Sequence, residues 1–166
     1  MTDLITQILL SFSNWGHLLA TVIWIGGIIT FGLVVTPSAK ETLAPPMMGK
    51  LFGAVMKRFR PLVYFSIIVF MFSGIAMMYL NENYTGLFDL GTSWAVVSLI
   101  KHAAVGIFIG LAVYNFEVFA PKVNEVAAKG PSPELAKLQK FQQRFAMVGL
   151  LVAVLILLLT GISTAL

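Results

Sequence analysis

Two histidines in this chain combine a metal-binding residue type with a regular position. His17 lies twenty residues before Pro37, and His102 lies nineteen residues before Pro121. They are the only histidines, and each lies near the start of a long apolar segment. A neutral imidazole is a good ligand for haem iron, copper or zinc, and ionisable groups inside apolar segments are often functional. The pair predicts a metal or haem site, with a hydrogen bond to a neighbouring helix as the simpler alternative for each ring.

The elements that must position these rings are membrane helices. Hydrophobic residues make up 58% of the 166 residues, charged residues make up 11%, and the mean hydropathy is +0.92. Four apolar segments approach or exceed the ~20 residues that a helix needs to cross a bilayer. They lie at about 7–36, 61–80, 94–120 and 145–165. The sequence predicts an all-α fold, a four-transmembrane-helix bundle that forms one integral membrane domain over residues 1–166.

The basic residues predict the orientation of this bundle in the cell membrane. Ten of the eleven Lys and Arg residues lie in two of the connections between spans, Lys40, Lys50, Lys57, Arg58 and Arg60 in the first and Lys122, Lys129, Lys137, Lys140 and Arg144 in the second. The connection between spans two and three carries acidic residues and no basic one. Because basic loops stay cytoplasmic, both termini are expected outside. The expected surroundings are the lipid bilayer, with no nucleic acid partner.

A weak internal repeat suggests that the chain consists of two related helical hairpins. The His-to-Pro segments start the two halves, and a second pair of motifs follows, Arg58 sixteen before Gly74 and Arg144 seventeen before Gly161. Since two spans restore the original direction, such a repeat would be parallel, and both histidines would reach a similar depth. Apolar sequences also match by chance, which is the alternative interpretation.

Haem b is the cofactor that the residues favour, because His17 and His102 alone can supply both axial ligands, whereas zinc needs more. The chain contains no cysteine, which excludes thiolate ligands. Gly106 lies one turn after His102 and either leaves room for a porphyrin or permits close helix packing. Lys101 either extends to the membrane surface or pairs with a haem propionate or a quinol.

Short motifs spread over most of the chain resemble the CopD-type copper-resistance membrane domain. They are His17, Trp24 with the following Ile-Gly-Gly, Lys-Arg-Phe-Arg at 57–60, Ser73-Gly74, Asn115, Pro121 and Arg144. The chain is also similar to the HemJ-type protoporphyrinogen oxidase family, in Val-Met-Lys-Arg at 55–58, His17, Trp24, Gly26 and Lys101. The first resemblance implies copper movement. The second implies b-type haem, with His17 and Lys101 as the important residues.

These observations lead to three hypotheses. The first is a membrane cytochrome b with His17 and His102 as axial ligands, in which Lys101, Trp24 and Gly106 also contact the haem. It would transfer electrons as a membrane oxidoreductase, with a quinol or a redox protein as partner and no catalytic residue assigned, and it could form a homo-oligomer. The second is a copper-permeation protein that uses His17 and the methionines at 77 and 78. The third is a protoporphyrinogen oxidase with its substrate near Lys101.

Overall fold

The long helices of the structure fall into two compact units. The computed structural model describes residues 2–84, 86 and 90–166. In these ranges four helices are long and apolar enough to cross a membrane, which confirms the predicted all-α, four-helix fold: Leu4–Thr42, Pro45–Tyr79, Ser93–Ala128 and Pro133–Ala165. The chain divides between Tyr84 and Thr85. We call the first unit hairpin 1 and the second unit hairpin 2.

Hairpin 1 is one interrupted helix packed against one long helix. The interrupted helix consists of α1 (Thr2–Thr21), π1 (Val22–Gly26), α2 (Gly27–Thr30), π2 (Phe31–Val35) and α3 (Thr36–Thr42), and it is followed by α4 (Pro45–Tyr79). The break between α3 and α4 is caused by Pro45, because a proline forces the residue before it into an extended conformation. Ala44 accordingly has φ −62° and ψ 148°.

Hairpin 2 repeats this plan with a single interruption. It consists of α5 (Ser93–Tyr114), π3 (Asn115–Phe119), α6 (Ala120–Ala128) and α7 (Pro133–Ala165), with α5 and α6 packed against α7. The hydroxyl oxygen of Thr92 caps α5 by accepting from the N–H of Ala95 at 3.1 Å. Ser132 caps α7 by accepting from the N–H of Leu135 at 3.1 Å. Gly130, with φ +98°, supplies the left-handed residue that ends the turn between α6 and α7.

The helices continue beyond the predicted apolar spans, mainly into the basic connections. Helix α4 begins at Pro45 and α7 begins at Pro133, well before the predicted starts near 61 and 145. Both begin with a proline at the first helical turn, where its missing N–H costs no hydrogen bond. Apolar length alone underestimates such helices, because polar residues extend a helix into water without losing backbone bonds. Much of the basic sequence is therefore helical.

Each hairpin has only a thin core. Trp24, Val63 and Ser66 are the largest fully buried side chains described, all in hairpin 1, and Phe108 and Ala153 are buried in hairpin 2. Many large apolar side chains along all four helices remain exposed, for example Phe72 and Leu151. An apolar surface of this extent is typical of helices that face lipid or other helices rather than water.

Candidate functional site

His17 lies on α1 and is held by helix α4. Its Nδ1 lies 2.8 Å from the hydroxyl oxygen of Ser73, and that hydroxyl lies 2.6 Å from the carbonyl oxygen of Val69. A serine hydroxyl has one proton, and a carbonyl can only accept it, so Ser73 donates to Val69 and accepts from Nδ1. His17 therefore carries its proton on Nδ1, and Nε2 carries the lone pair of the ring.

The rest of the His17 environment is aromatic and compact. The ring of Phe70 meets the imidazole edge to face, with centroids 4.7 Å apart and an interplanar angle of 73°. Trp24 is buried and packs against Phe70 at a centroid distance of 6.0 Å. A Cβ atom added at Gly74 would lie 3.9 Å from His17 Cε1. The structure thus links the predicted site residue Trp24 to His17 through Phe70.

His102 lies on α5 and is held by its own helix. Its Nδ1 lies 2.6 Å from the carbonyl oxygen of Ser98, one turn earlier. Because a carbonyl only accepts, His102 donates from Nδ1, and Nε2 carries the lone pair. The side chain is exposed on the surface of hairpin 2. A histidine whose Nδ1–H is bonded to a backbone carbonyl is in the arrangement that commonly orients metal ligands.

The surface beside His102 is open. Gly106 and Gly110 follow His102 at intervals of four residues, which places the three on one face of α5. A Cβ atom added at either glycine would meet nothing within 4 Å. Neither glycine is therefore needed for close packing inside hairpin 2, and both leave the face next to His102 free of side chains.

Lys101 points in a different direction from His102. Its Nζ lies 3.5 Å from the hydroxyl oxygen of Ser163 on α7, and Ser163 donates to the carbonyl of Thr160 at 3.0 Å. Adjacent helical residues are separated by about 100° around the axis, so one of them faces α7 while the other faces outward. The structure therefore places the Lys101 side chain between α5 and α7.

The two π turns that precede the prolines occupy matching positions. π2 begins six residues before Pro37, and π3 begins six residues before Pro121. A proline lacks the N–H of a helical hydrogen bond and its ring clashes with the carbonyl four residues earlier. A wider turn at this point relieves the clash and keeps the helix continuous. π1 has no counterpart among the described residues of hairpin 2.

π1 explains why the two His-to-Pro spacings differ by one residue. A π turn holds one residue more than an α turn, so removing one residue for each π turn leaves eighteen in both segments. Eighteen residues make about five α-helical turns and about 27 Å of rise, close to the thickness of a bilayer core. In each hairpin the histidine and the proline therefore share a helix face. The two histidines occupy equivalent helical positions, which supports the predicted repeat.

Sequence reasoning missed the residues that orient the rings. Ser98 precedes His102 by four, a spacing that predicts a contact on one helix face and could have been used. Ser73 was noticed only as part of a family motif, because its contact with His17 depends on how α1 packs on α4. Within the described residues, no group of three or more His, Cys, Asp or Glu side chains could hold a metal ion.

The fold and the two oriented imidazoles define a multi-pass membrane protein with a candidate ligand group on each hairpin. A family model described as "Copper resistance protein D" matches residues 53–163, which is more than half of the chain. The chain belongs to this family, as predicted from its motifs. The match includes Lys101 and His102 but begins after His17. Searches of the curated proteins and of the solved structures gave no significant match.

Proposed function

We propose that this chain is a membrane cytochrome b in which Nε2 of His17 and Nε2 of His102 are the axial ligands of one haem b. The observation that carries the proposal is that Nδ1 of each ring lies within hydrogen-bond distance of an acceptor. Each Nδ1 donates to a fixed acceptor, at 2.8 Å and 2.6 Å respectively, so each lone pair lies on Nε2. Neutral imidazole bound through one nitrogen, with the other nitrogen hydrogen-bonded, suits haem iron.

The residues present fit a haem better than an ion bound by side chains alone. A haem needs two ligands from the protein, and the described residues provide no group of three or more His, Cys, Asp or Glu side chains. The open face at Gly106 gives a flat macrocycle space next to His102. Such a haem supplies one-electron chemistry, and with both axial positions occupied by imidazole it would transfer electrons rather than activate oxygen. Lys101 would act as a positive charge beside a haem propionate.

The proposal also includes the extent of the membrane domain and its orientation in the membrane. Residues 1–166 form one membrane domain, with both termini outside and the basic connections in the cytoplasm. In intact cells, an impermeant thiol reagent should label Asn83→Cys and leave Lys129→Cys unlabelled. The opposite pattern would reverse the orientation and leave the haem proposal untouched.

Absorption spectra of the purified protein test the proposal. The reduced protein should show sharp low-spin alpha and beta bands with about one haem per chain. Each of His17→Ala and His102→Ala should remove these bands or convert the iron to high spin. A low-spin spectrum that is unchanged in both variants would contradict the assignment.

Copper transport is the second candidate, and the family match is the observation that favours it. In this case His17, Met77 and Met78 would form the pathway, because thioethers suit Cu(I). Met77 lies one turn beyond Ser73 on α4, toward the same end of hairpin 1 as His17. A colourless protein that binds stoichiometric copper, and loses it on Met77→Leu, would favour this function over the first.

A further inference from the structure

A surface hollow of about 530 Å³ lies at one end of hairpin 1. Its lining is mixed and includes the polar residues Asn14, Glu82 and Asn83 and the apolar residues Leu10, Met77 and Leu80. Its volume lies within the range of about 300–1,000 Å³ that is usual for small-molecule sites. A mixed lining of this kind suits a ligand with an apolar body and a few hydrogen-bonding groups.

The hollow opens next to the hydrogen bond that orients His17. Asn14 precedes His17 by three residues on α1, and Met77 follows Ser73 by four residues on α4. Both spacings correspond to about one helical turn, or roughly 5 Å along the axis. The His17–Ser73 pair, joined at 2.8 Å, thus lies one turn deeper in the hairpin than the lining of the hollow.

The chemistry of the lining narrows the class of ligand. An anion would be repelled by the carboxylate of Glu82, and no basic side chain is among the described residues that line the hollow. A metal ion that needs three His, Cys, Asp or Glu ligands would not find them, since no such group occurs in the part of the chain that the structure describes. An uncharged ring with hydroxyl groups fits this mixed lining. The amides and the carboxylate can form hydrogen bonds with the hydroxyl groups, and Leu10 and Leu80 can contact the ring.

We propose that this hollow binds the ring of a membrane quinol. The amide of Asn14 and the carboxylate of Glu82 bond its hydroxyl groups. Oxidation of the quinol to the quinone releases two electrons and two protons. Glu82 accepts one proton and passes it to water, and the other proton leaves to water directly. The first electron reduces the proposed haem iron from Fe(III) to Fe(II), a one-electron redox protein takes that electron from the iron, and the second electron then follows the same route. The electron transfer rests on the proposed function, whereas binding rests on the hollow alone.

Fluorescence of Trp15 measures this binding without any electron transfer. Trp15 is 64% exposed and lines a neighbouring hollow together with Ser11, which also lines the quinol hollow. A short-chain benzoquinone is titrated into the full chain in lipid nanodiscs, and the emission of Trp15→Phe is subtracted. We expect saturable quenching. Asn14→Leu should raise the dissociation constant roughly tenfold, because a hydrogen-bonding partner is lost. The matched control Asn124→Leu on α6 should stay within about twofold of the unsubstituted protein.

Glu82→Gln is a second variant, and it should raise the dissociation constant of the benzoquinone several-fold. Circular dichroism checks that each variant is folded. Quenching that increases linearly without saturation, or dissociation constants that are the same in Asn14→Leu and in the control, would overturn the proposal. A colourless protein that still binds the quinone saturably would contradict the haem proposal and leave this site standing.

Discussion

The two hairpins hold equivalent histidines in different ways. In hairpin 1 the acceptor for His17 Nδ1 is Ser73, on the opposite helix. In hairpin 2 the acceptor for His102 Nδ1 is a carbonyl of its own helix, and Lys101 makes the contact with the opposite helix instead. The orientation of His17 therefore depends on how two helices pack, whereas that of His102 depends on one helix. Both rings thus donate from Nδ1, His17 to a side chain on the opposite helix and His102 to a backbone carbonyl of its own helix.

The largest expected effect comes from changing the length of each His-to-Pro segment. Deleting Val22, an exposed residue of π1, should close that π turn and leave His17 in register with Pro37, so the low-spin spectrum should persist. Deleting Ile107, an exposed residue of α5, leaves two outcomes for hairpin 2. Either His102 rotates by about 100°, or π3 closes and the ring of Pro121 clashes with a carbonyl at a cost of about 3 kcal/mol.

Absorption spectra of the Val22 and Ile107 deletion variants test this difference between the two hairpins. We expect the haem bands to survive the first deletion and to be weakened or lost with the second, because His102 is turned away from the haem or hairpin 2 is destabilised. Equal loss in both variants would show that π1 does not compensate for the extra residue, and the equivalence of the two histidines would fail.

The next effect concerns packing inside hairpin 1. A Cβ atom added at Gly27 would overlap the ring of Phe59, whereas one added at Gly26 would meet nothing within 4 Å. Gly27→Ala should therefore destabilise the protein by about 1–3 kcal/mol, the usual range for overpacking. Gly26→Ala is the matched control and should change stability little. Thermal unfolding in detergent measures both, and equal midpoints would contradict the observed contact between α2 and α4.

The two serines that lie near the histidines should differ in importance. Ser73→Ala removes the acceptor for His17 Nδ1 and should weaken haem affinity roughly tenfold, since second-shell partners contribute to ligand orientation and basicity. Ser98→Ala keeps the backbone carbonyl that accepts from His102 and should leave the affinity nearly unchanged. Haem titration of the two variants tests this difference. A larger loss in Ser98→Ala would reverse the comparison of the hairpins.

Much of the fold was predictable from the sequence, because four long apolar segments without strand alternation leave few alternatives in a bilayer. The helix ends were not, since the stretches that begin at Pro45 and Pro133 carry basic residues, which interrupt the uncharged apolar runs used to place the spans. The two histidines could be identified from residue type and spacing alone. The contact of His17 with Ser73 could not, because fifty-six residues separate them and only the packing of α1 on α4 brings them together.

π1 is a further feature that the sequence did not disclose. The His-to-Pro spacings of twenty and nineteen residues differ by one, which in the sequence indicates only an imprecise repeat. The structure shows that one residue is accommodated in a wide turn, so the repeat is closer than the residue numbers indicate. A proline predicts a disturbed helix nearby, which accounts for π2 and π3, but no proline follows π1 within reach.

The smallest effect should come from Lys101. Lys101→Met should keep the low-spin spectrum, because His102 remains the ligand, while the haem potential should fall. Loss of one nearby positive charge is worth on the order of 1 kcal/mol, or roughly 50 mV for a one-electron couple. Redox titration measures this shift. Loss of the low-spin bands in Lys101→Met together with their survival in His102→Ala would make Lys101 the ligand.

The proposed function requires that two imidazoles, one from each hairpin, bind one haem. Near-infrared magnetic circular dichroism of the oxidised protein tests it most directly, because the position of the charge-transfer band identifies the pair of axial ligands. We expect a bis-histidine band in the unsubstituted protein and its loss in both His17→Ala and His102→Ala. A band from a histidine–amine pair, or a protein without any haem signal, would contradict it.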